Sequence, residues 1–196
     1  MILGSRDLSK GRSATQSLAD NIIAKQLDVT STADIEALVA WVNEEYGRLD
    51  VLINNAAIDY DTDQNVLEAD MSRVEHIFAS NVFAVWRLTQ AFIPLLRRSA
   101  RARVVNVSSE SGALANMTGG APGYSLSKLA LNGLTQMLAN QLDDVLVNAV
   151  CPGWTATDMG GGRPIAEGAK GVVWAALLED GATSGGFFRD GHALDW

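Results

Sequence analysis

Tyr124 and Lys128 lie four residues apart in the stretch YSLSK, and they carry the clearest chemistry in the chain. Residues at i and i+4 share one face of a helix. An ammonium beside a phenol favours phenolate and draws its pKa down from about 10 towards working pH. Upstream, the apolar run Val104, Val105, Val107 reads as a buried strand that delivers Ser108 and Ser109 at its end. A serine hydroxyl there could hold a substrate oxygen beside the phenol. Together these groups can move a proton on or off a carbonyl or alcohol oxygen. Tyr-x-x-x-Lys alone recurs in many helices, so the strand and the Gly-rich loop before it carry the argument. The bland alternatives are a solvated surface lysine and two strand-end caps.

Strand and helix patterns alternate along the chain. MILG at 1–4 is a short apolar strand, followed by a helix over 8–19 capped by Asp7 or Ser9. A strand over 21–26 leads to a helix over 33–46, capped by Ser31 or Thr32 and ended by Gly47. LDVLI at 49–53 reads as a strand buried on both faces of a parallel sheet. Residues 59–69 form a polar loop. A long helix spans 71–98, with Pro94 loosening its last turn. Strands at 102–107, 145–150 and 186–189 and helices over 123–141 and 164–178 follow. This alternation indicates an α/β, doubly wound (Rossmann-like) parallel sheet with right-handed crossovers, built as a single domain over 1–196. In such sheets ligands bind beyond the carboxyl ends of the strands. Ser5 and Arg6, Asp28, Asn54 and Asn55, Ser108 and Ser109, and the 152–157 loop all fall at that end.

VVNVSS, YSLSK and NAVCPGWTATDM together resemble the short-chain dehydrogenase/reductases, in particular the carbonyl-reductase-like members. The resemblance runs over nearly the whole chain. It implies four catalytic residues: Tyr124 as general acid/base, Lys128 lowering its pKa and holding the cofactor ribose, Ser109 orienting the substrate oxygen, and Asn81 supporting a proton relay. Ser109 is preferred to Ser108 because the family serine usually lies three residues before the loop glycine, here Gly112. NNAA at 54–57 is similar to the family's N-N-A-G, which implies cofactor contacts at Asn54 and Ala56; a structural Asn ladder fits as well. Asp28 with Val29 resembles the family's adenine contact, or is a plain loop carboxylate. Ser5 and Arg6 follow the first strand. A basic residue there implies a 2′-phosphate and favours NADP(H) over NAD(H), although Asp7 keeps NAD(H) open. Pro152, Gly153, Thr155 and Thr157 match the family's P-G-x-x-x-T, which contacts the nicotinamide and phosphates. Trp154 either lines the substrate pocket or anchors its loop. The implied activity is NADP(H)-dependent reduction of an aldehyde or ketone to an alcohol.

The chain departs from the family at its start. The family opens with a strand, a T-G-x-x-x-G-x-G turn and a helix, and this sequence begins where the second strand would be. No other glycine turn with a helix behind it is present to cradle a pyrophosphate. The unit that this leaves out would supply the central strand in the order 3-2-1-4-5-6. Loops near 19–22, 142–145 and 160–164 also look short. Either residues are missing from the sequence, or the protein is shortened. In a shortened protein the 1–4 strand could pair directly with LDVLI, or another chain could fill the gap. The shortening motivates an alternative of another class, a catalytically silent relative that serves as a binding or scaffolding protein. Gly160, Gly161 and Gly162 read as the hinge of a substrate lid.

Composition bounds the remaining classes. The 196 residues are 47% hydrophobic and 19% charged, which fits a folded globular chain. A net charge of −8 argues against nucleic acid and anionic membranes as main partners. The single cysteine, Cys151, reads as a buried structural thiol and fits a reducing, cytoplasmic compartment. No Cys/His cluster has metal spacing, and His76 and His192 read as surface and tail. Apolar positions on the long helix are compatible with a homo-oligomer as well as with core packing.

Overall fold

Residues 102–107 and 145–150 build the centre of the fold. In the computed structural model, which describes residues 1–16, 18 and 21–196, they form β4 (Ala102–Val107) and β5 (Val145–Val150). These strands pair in parallel over six residues each, from Ala102 opposite Val145 to Val107 opposite Val150. Alternate side chains point to opposite faces of a strand. Val104 and Val147 accordingly join one core, and Val105 and Val150 another. The first core takes Ile35 and Val42 from α2 (Thr32–Tyr46), Leu88 and Phe92 from α4 (Val85–Leu96), and Leu131 from α5 (Pro122–Gln141). The second takes Ala175 from α6 (Ile165–Ala176). Helices on both faces of a mostly parallel sheet make the fold doubly wound, as expected.

The remaining strands add outward from this pair. β3 (Val51–Asn54) pairs in parallel with β4, and β6 (Phe187–Arg189) with β5. The 190–196 tail contributes β7 (His192–Ala193), antiparallel to β6. β1 (Ile2–Ser5) and β2 (Ile23–Gln26) pair in parallel as a separate two-stranded sheet. β1 therefore does not pair with β3, and each of these two strands has one edge without a partner among the described strands. The described strands thus form two sheets, β1-β2 and β3-β4-β5-β6-β7. This division corrects the expectation that 49–53 is buried on both faces: Ile53 remains 41% exposed at the open side of β3.

Local signals set most of the helix ends. Asp7 caps α1 (Leu8–Gln16), accepting from the Ser9 and Lys10 amides at 2.9 and 3.2 Å. The expected helix end at Ala19 lies outside the described residues. Ser31 caps α2, and Gly47 ends it in the left-handed conformation at φ 69°. The long helix is not uniform. α3 (Met71–Phe78) passes into a π-helical turn (Ala79–Ala84) before α4 begins. Such turns inside helices often mark functional sites, and this one carries Asn81. Among the described residues, no helix is long and apolar enough to cross a membrane.

Candidate active site

Strand β4 ends at Val107, and Ser108 and Ser109 follow it into different roles. Ser108 is buried, and its hydroxyl donates to Asn132 Oδ1 at 2.6 Å on α5. Ser109 faces a cleft of about 790 Å³, near enough to the Tyr124 phenol to lower its pKa, and its Oγ accepts from Ser111 N at 3.2 Å. The geometry thus separates a structural serine from one available to substrate. Gly112 must be glycine, because a Cβ there would lie 2.5 Å from the Lys128 backbone carbon. That close approach presses the loop after β4 against the helix that carries Tyr124 and Lys128.

Burial governs the electrostatics of this pair. Lys128 is 2% exposed, and its ammonium donates to Val107 O at 2.8 Å. Removal from water pushes its pKa down to about 8. The same cause pushes the Tyr124 phenol up to about 12, against a smaller lowering by Ser109. The sequence reading expects Lys128 to draw the phenol down. The geometry explains the difference: the ammonium is directed at a backbone carbonyl and lies 5.5 Å from the centre of the Tyr124 ring. At neutral pH the phenol is protonated, which is the form a general acid requires.

Asn81 is fully buried in the π-helical turn. Its Oδ1 accepts from Ile58 N at 2.9 Å, and its Nδ2 donates to Ser127 Oγ at 3.1 Å and Ile58 O at 3.3 Å. It ties the loop after β3 to α5. Ser127 in turn donates to Tyr124 O at 2.7 Å.

The residues expected to bind a cofactor divide into three groups. Ala56, Pro152, Gly153, Thr155 and Thr157 line the same cleft as Tyr124 and Lys128, and so does Asn55. Asn54 instead lies in a ladder, donating to Asn106 Oδ1 at 2.8 Å and Thr89 Oγ1 at 3.1 Å. Its own Oδ1 is buried without a hydrogen-bond partner. Ser5, Arg6, Asp28 and Val29 do not line the cleft. Ser5 donates to Asp7 O, and Val29 packs against the main core. Asp28 accepts from Thr30 Oγ1 at 2.7 Å and from its amide at 2.9 Å. These bonds, with a smaller contribution from the Arg6 charge, hold its carboxyl below the usual range.

Trp154 stands at the cleft and against its own loop. It lines the cleft at 56% exposure, and Gly160 and Gly162 pack against it. A Cβ at Gly160 would reach its ring at 2.8 Å, so the glycines permit close packing of the loop on the indole. Arg163 fastens the end of this loop, donating from Nε to Pro152 O at 2.9 Å and from its two terminal nitrogens to Asp190.

Several cleft residues escape the sequence reading. Tyr60 packs edge-on against Tyr124, with ring centres 4.7 Å apart. Asp61, fully buried, accepts from the Gly123 and Tyr124 amides at 2.8 and 2.9 Å and so caps α5 from a distant loop. Glu110 pairs with Arg189 at the cleft wall, and the Cys151 thiol donates to Glu110 at 3.6 Å. Burial pushes that thiol up, in keeping with an inert structural cysteine. A polar loop distant in sequence gives no local sign of these roles. The best available signal was an aromatic-acid pair, Tyr60-Asp61, inside an otherwise polar stretch.

A cleft with a serine, a tyrosine and a lysine converging in it lies at the carboxyl ends of β3, β4 and β5, where open α/β sheets bind ligands. The sequence profile of the short chain dehydrogenase family matches residues 1–167. The chain belongs to that family of oxidoreductases and falls among its carbonyl-reductase-like members. It is 32% identical to NADPH carbonyl reductase 3 of Rattus norvegicus, covering all of this chain and 88% of the relative. That alignment runs over 249 positions, so the relative carries segments with no counterpart in these 196 residues. The carbonyl reductase Sniffer of Drosophila melanogaster superposes with a TM-score of 0.89 at 26% identity, over all of this chain and 87% of that one. The NADPH-bound carbonyl reductase from chicken fatty liver gives 0.82 at 27% identity, over 100% and 86%.

Proposed function

We propose that this protein reduces an aldehyde or ketone of small size to the alcohol, using NADPH in preference to NADH, with Tyr124 as the proton donor. The observation that carries the reading is the convergence of Ser109, a protonated Tyr124 and a buried Lys128 in one cleft. Ser109 stands close to the phenol, so one carbonyl oxygen could accept from both hydroxyls. Tyr124 then delivers its proton as negative charge develops on that oxygen. Lys128, directed at Val107 O and 5.5 Å from the ring centre, stands near the phenol without lowering its pKa.

The residues of the cleft suit the nicotinamide–ribose half of the cofactor. Lys128 would hold the ribose, and Ala56, Pro152, Gly153, Thr155 and Thr157 would border the ring and the adjoining phosphate. When bound, the nicotinamide supplies the hydride. For the adenosine half, exposed Arg6 beside Asp28 offers a guanidinium to a 2′-phosphate. The rat relative is named for NADPH, and the chicken structure contains it, which supports the same choice. Loss of most carbonyl reduction in Tyr124→Phe, with cofactor binding kept, is the expected result. Full activity in that variant would remove Tyr124 from the mechanism.

A second reading is favoured by the interrupted sheet. With β1 and β3 unpaired to each other and no glycine-rich turn between them, a silent binding or scaffolding relative is the alternative. Fluorescence titration with NADPH separates the two: saturable binding supports the reductase, and no binding supports the silent relative.

The protein is further proposed to act as a single domain over residues 1–196 and to form a homo-oligomer. Leu126 and Met137 lie three helical turns apart on α5 and are exposed, as are Phe83 and Trp86 on the long helix. The acidic net charge and the one reduced cysteine suit a cytoplasmic enzyme of small molecules rather than a nucleic-acid or membrane-surface partner.

A further inference from the structure

We propose that Arg189 and Asp190 act as positioning residues that tie the 152–163 loop to the turn presenting Ser109, so that the lining of the cleft and its serine are set together. The inference rests on the reductase reading and adds two residues to that site. A continuous chain of charged contacts carries it. At one end, Arg163 donates from Nε to Pro152 O at 2.9 Å. Its two terminal nitrogens donate to the two carboxylate oxygens of Asp190 at 2.9 and 2.8 Å. Asp190 lies 3.7 Å from Arg189 Nε. Arg189 in turn donates to Glu110, the residue after Ser109.

Each end of this chain is a segment that needs fastening. Gly153 and Gly162 stand near the ends of the loop at φ 70° and 150°, conformations that L side chains rarely adopt. Between them Trp154, Thr155 and Thr157 line the cleft. Permissive ends leave the placement of the loop to its contacts, and Arg163 supplies a bidentate one. At the other end, a tight turn (Glu110–Gly112) begins from Ser109. Ser109 Oγ accepts from Ser111 N at 3.2 Å, and its carbonyl accepts from Gly112 N at 2.9 Å. Both bonds depend on the course of the chain at Glu110. The Glu110 carboxylate is held by Arg189 and by the Cys151 thiol at 3.6 Å.

The centre of the chain bears strain. Asp190 takes φ 52° in the turn between β6 and β7, although it is not a glycine. A residue in that region persists only where its surroundings hold it. The Arg163 bonds also keep its carboxyl below the usual range, with smaller help from the Arg189 and His192 charges. An isolated exposed ion pair sets little, but several charges in one network with bidentate geometry can hold position. Among the described residues, no hydrogen bond or ion pair joins Arg163 to the Ser109 turn directly. Coupling between the two ends therefore runs through Arg189 and Asp190.

The test measures kcat and KM with α-tetralone and NADPH. Arg189→Met should lower kcat about tenfold while KM changes less than about threefold. Arg189→Lys, which keeps the charge facing Glu110, should bring kcat to within about threefold of wild type. In a Ser109→Ala background, Arg189→Met should lower kcat less than about twofold further, because its effect runs through the serine. Multiplicative losses in that double variant, or wild-type kcat in Arg189→Met, would overturn the proposal and leave the reductase reading standing. If Arg189→Met does not fold, Glu110→Gln removes the charge that Arg189 meets and takes its place in the same comparison. If no carbonyl is reduced, amide hydrogen exchange decides without activity. Arg163→Met should speed exchange at Ser111 and Gly112, at the far end of the chain, at least about threefold. Exchange that quickens only in the 152–163 loop, or nowhere, would overturn the coupling.

Discussion

Tyr124 and Lys128 are both buried, and burial acts on them in opposite directions, the phenol rising to about 12 and the ammonium falling to about 8. Each shift disfavours the charged form. For reduction, the proton donor therefore stays loaded across the neutral range, and the first group to titrate is Lys128. Reduction should be flat at neutral pH and decline above about pH 8, whereas oxidation of the alcohol, which needs the phenolate, should keep rising as pH increases towards 12. Rate profiles in both directions check this; a reduction rate that rises through pH 8 would contradict it. The same shifts set stability. The fold binds fewer protons than the unfolded chain between about pH 8 and 10.5, so stability rises with pH across that window through Lys128. Tyr124 reverses the sign between about pH 10 and 12. At pH 7 the buried ammonium costs on the order of 3 kcal/mol, part of which its bond to Val107 O offsets. Lys128→Met should thus lose activity by about a hundredfold or more yet unfold at no lower temperature at pH 7. At this scale the meeting of Ser109, Tyr124 and Lys128 in one cleft was legible, because their spacing fits strand and helix. The direction of the phenol shift was not, since it depends on which oxygen the ammonium finds.

Helix α5 holds Tyr124 and Lys128, and its start depends on Asp61 in a distant loop. The N-terminus of a helix leaves amides without partners and carries partial positive charge. Ala121 in the left-handed conformation offers no side-chain cap, and Asp61 supplies one from the loop after β3. Asp61→Ala should cost about 1–2 kcal/mol of stability, measured by denaturant unfolding, and lower kcat more than it raises KM. A variant as stable and active as wild type would show that the cap is dispensable. The π-helical turn at Ala79–Ala84 plays a related part by turning Asn81 onto the Ile58 backbone and Ser127. Asn81 was recognisable from its place in SNVFAV, but the turn was not, because a π-helical insertion leaves the apolar periodicity nearly intact. β4 and β5 were legible to the residue, being continuous apolar runs ended by turn signals. β3 was shifted by the short stretch before it, and β7 was missed because two paired residues carry no period.

The described strands form two sheets, parallel except for β7, and their separation sets where the molecule is weak. β4 and β5 pair on both edges, whereas β1 and β2 bond only to each other among the described strands. Amides of β1 and β2 should exchange with solvent at least about tenfold faster than those of β4 and β5, because regions with fewer buried contacts open at lower free energy. NADPH should slow exchange in β1 if Arg6 and Asp28 meet its adenosine half. Equal protection of both sheets would contradict this division. The doubly wound class was evident from alternation alone, but whether β1 pairs with β3 could not be read, since that pairing depends on distance rather than on pattern. The most direct test of the central claim is NADPH consumption with α-tetralone by the 196-residue chain at neutral pH, wild type against Tyr124→Phe. Turnover in wild type, reduced about a hundredfold or more in the variant, is the expected result. Equal rates in the two proteins, or no turnover in wild type, would contradict Tyr124-dependent carbonyl reduction.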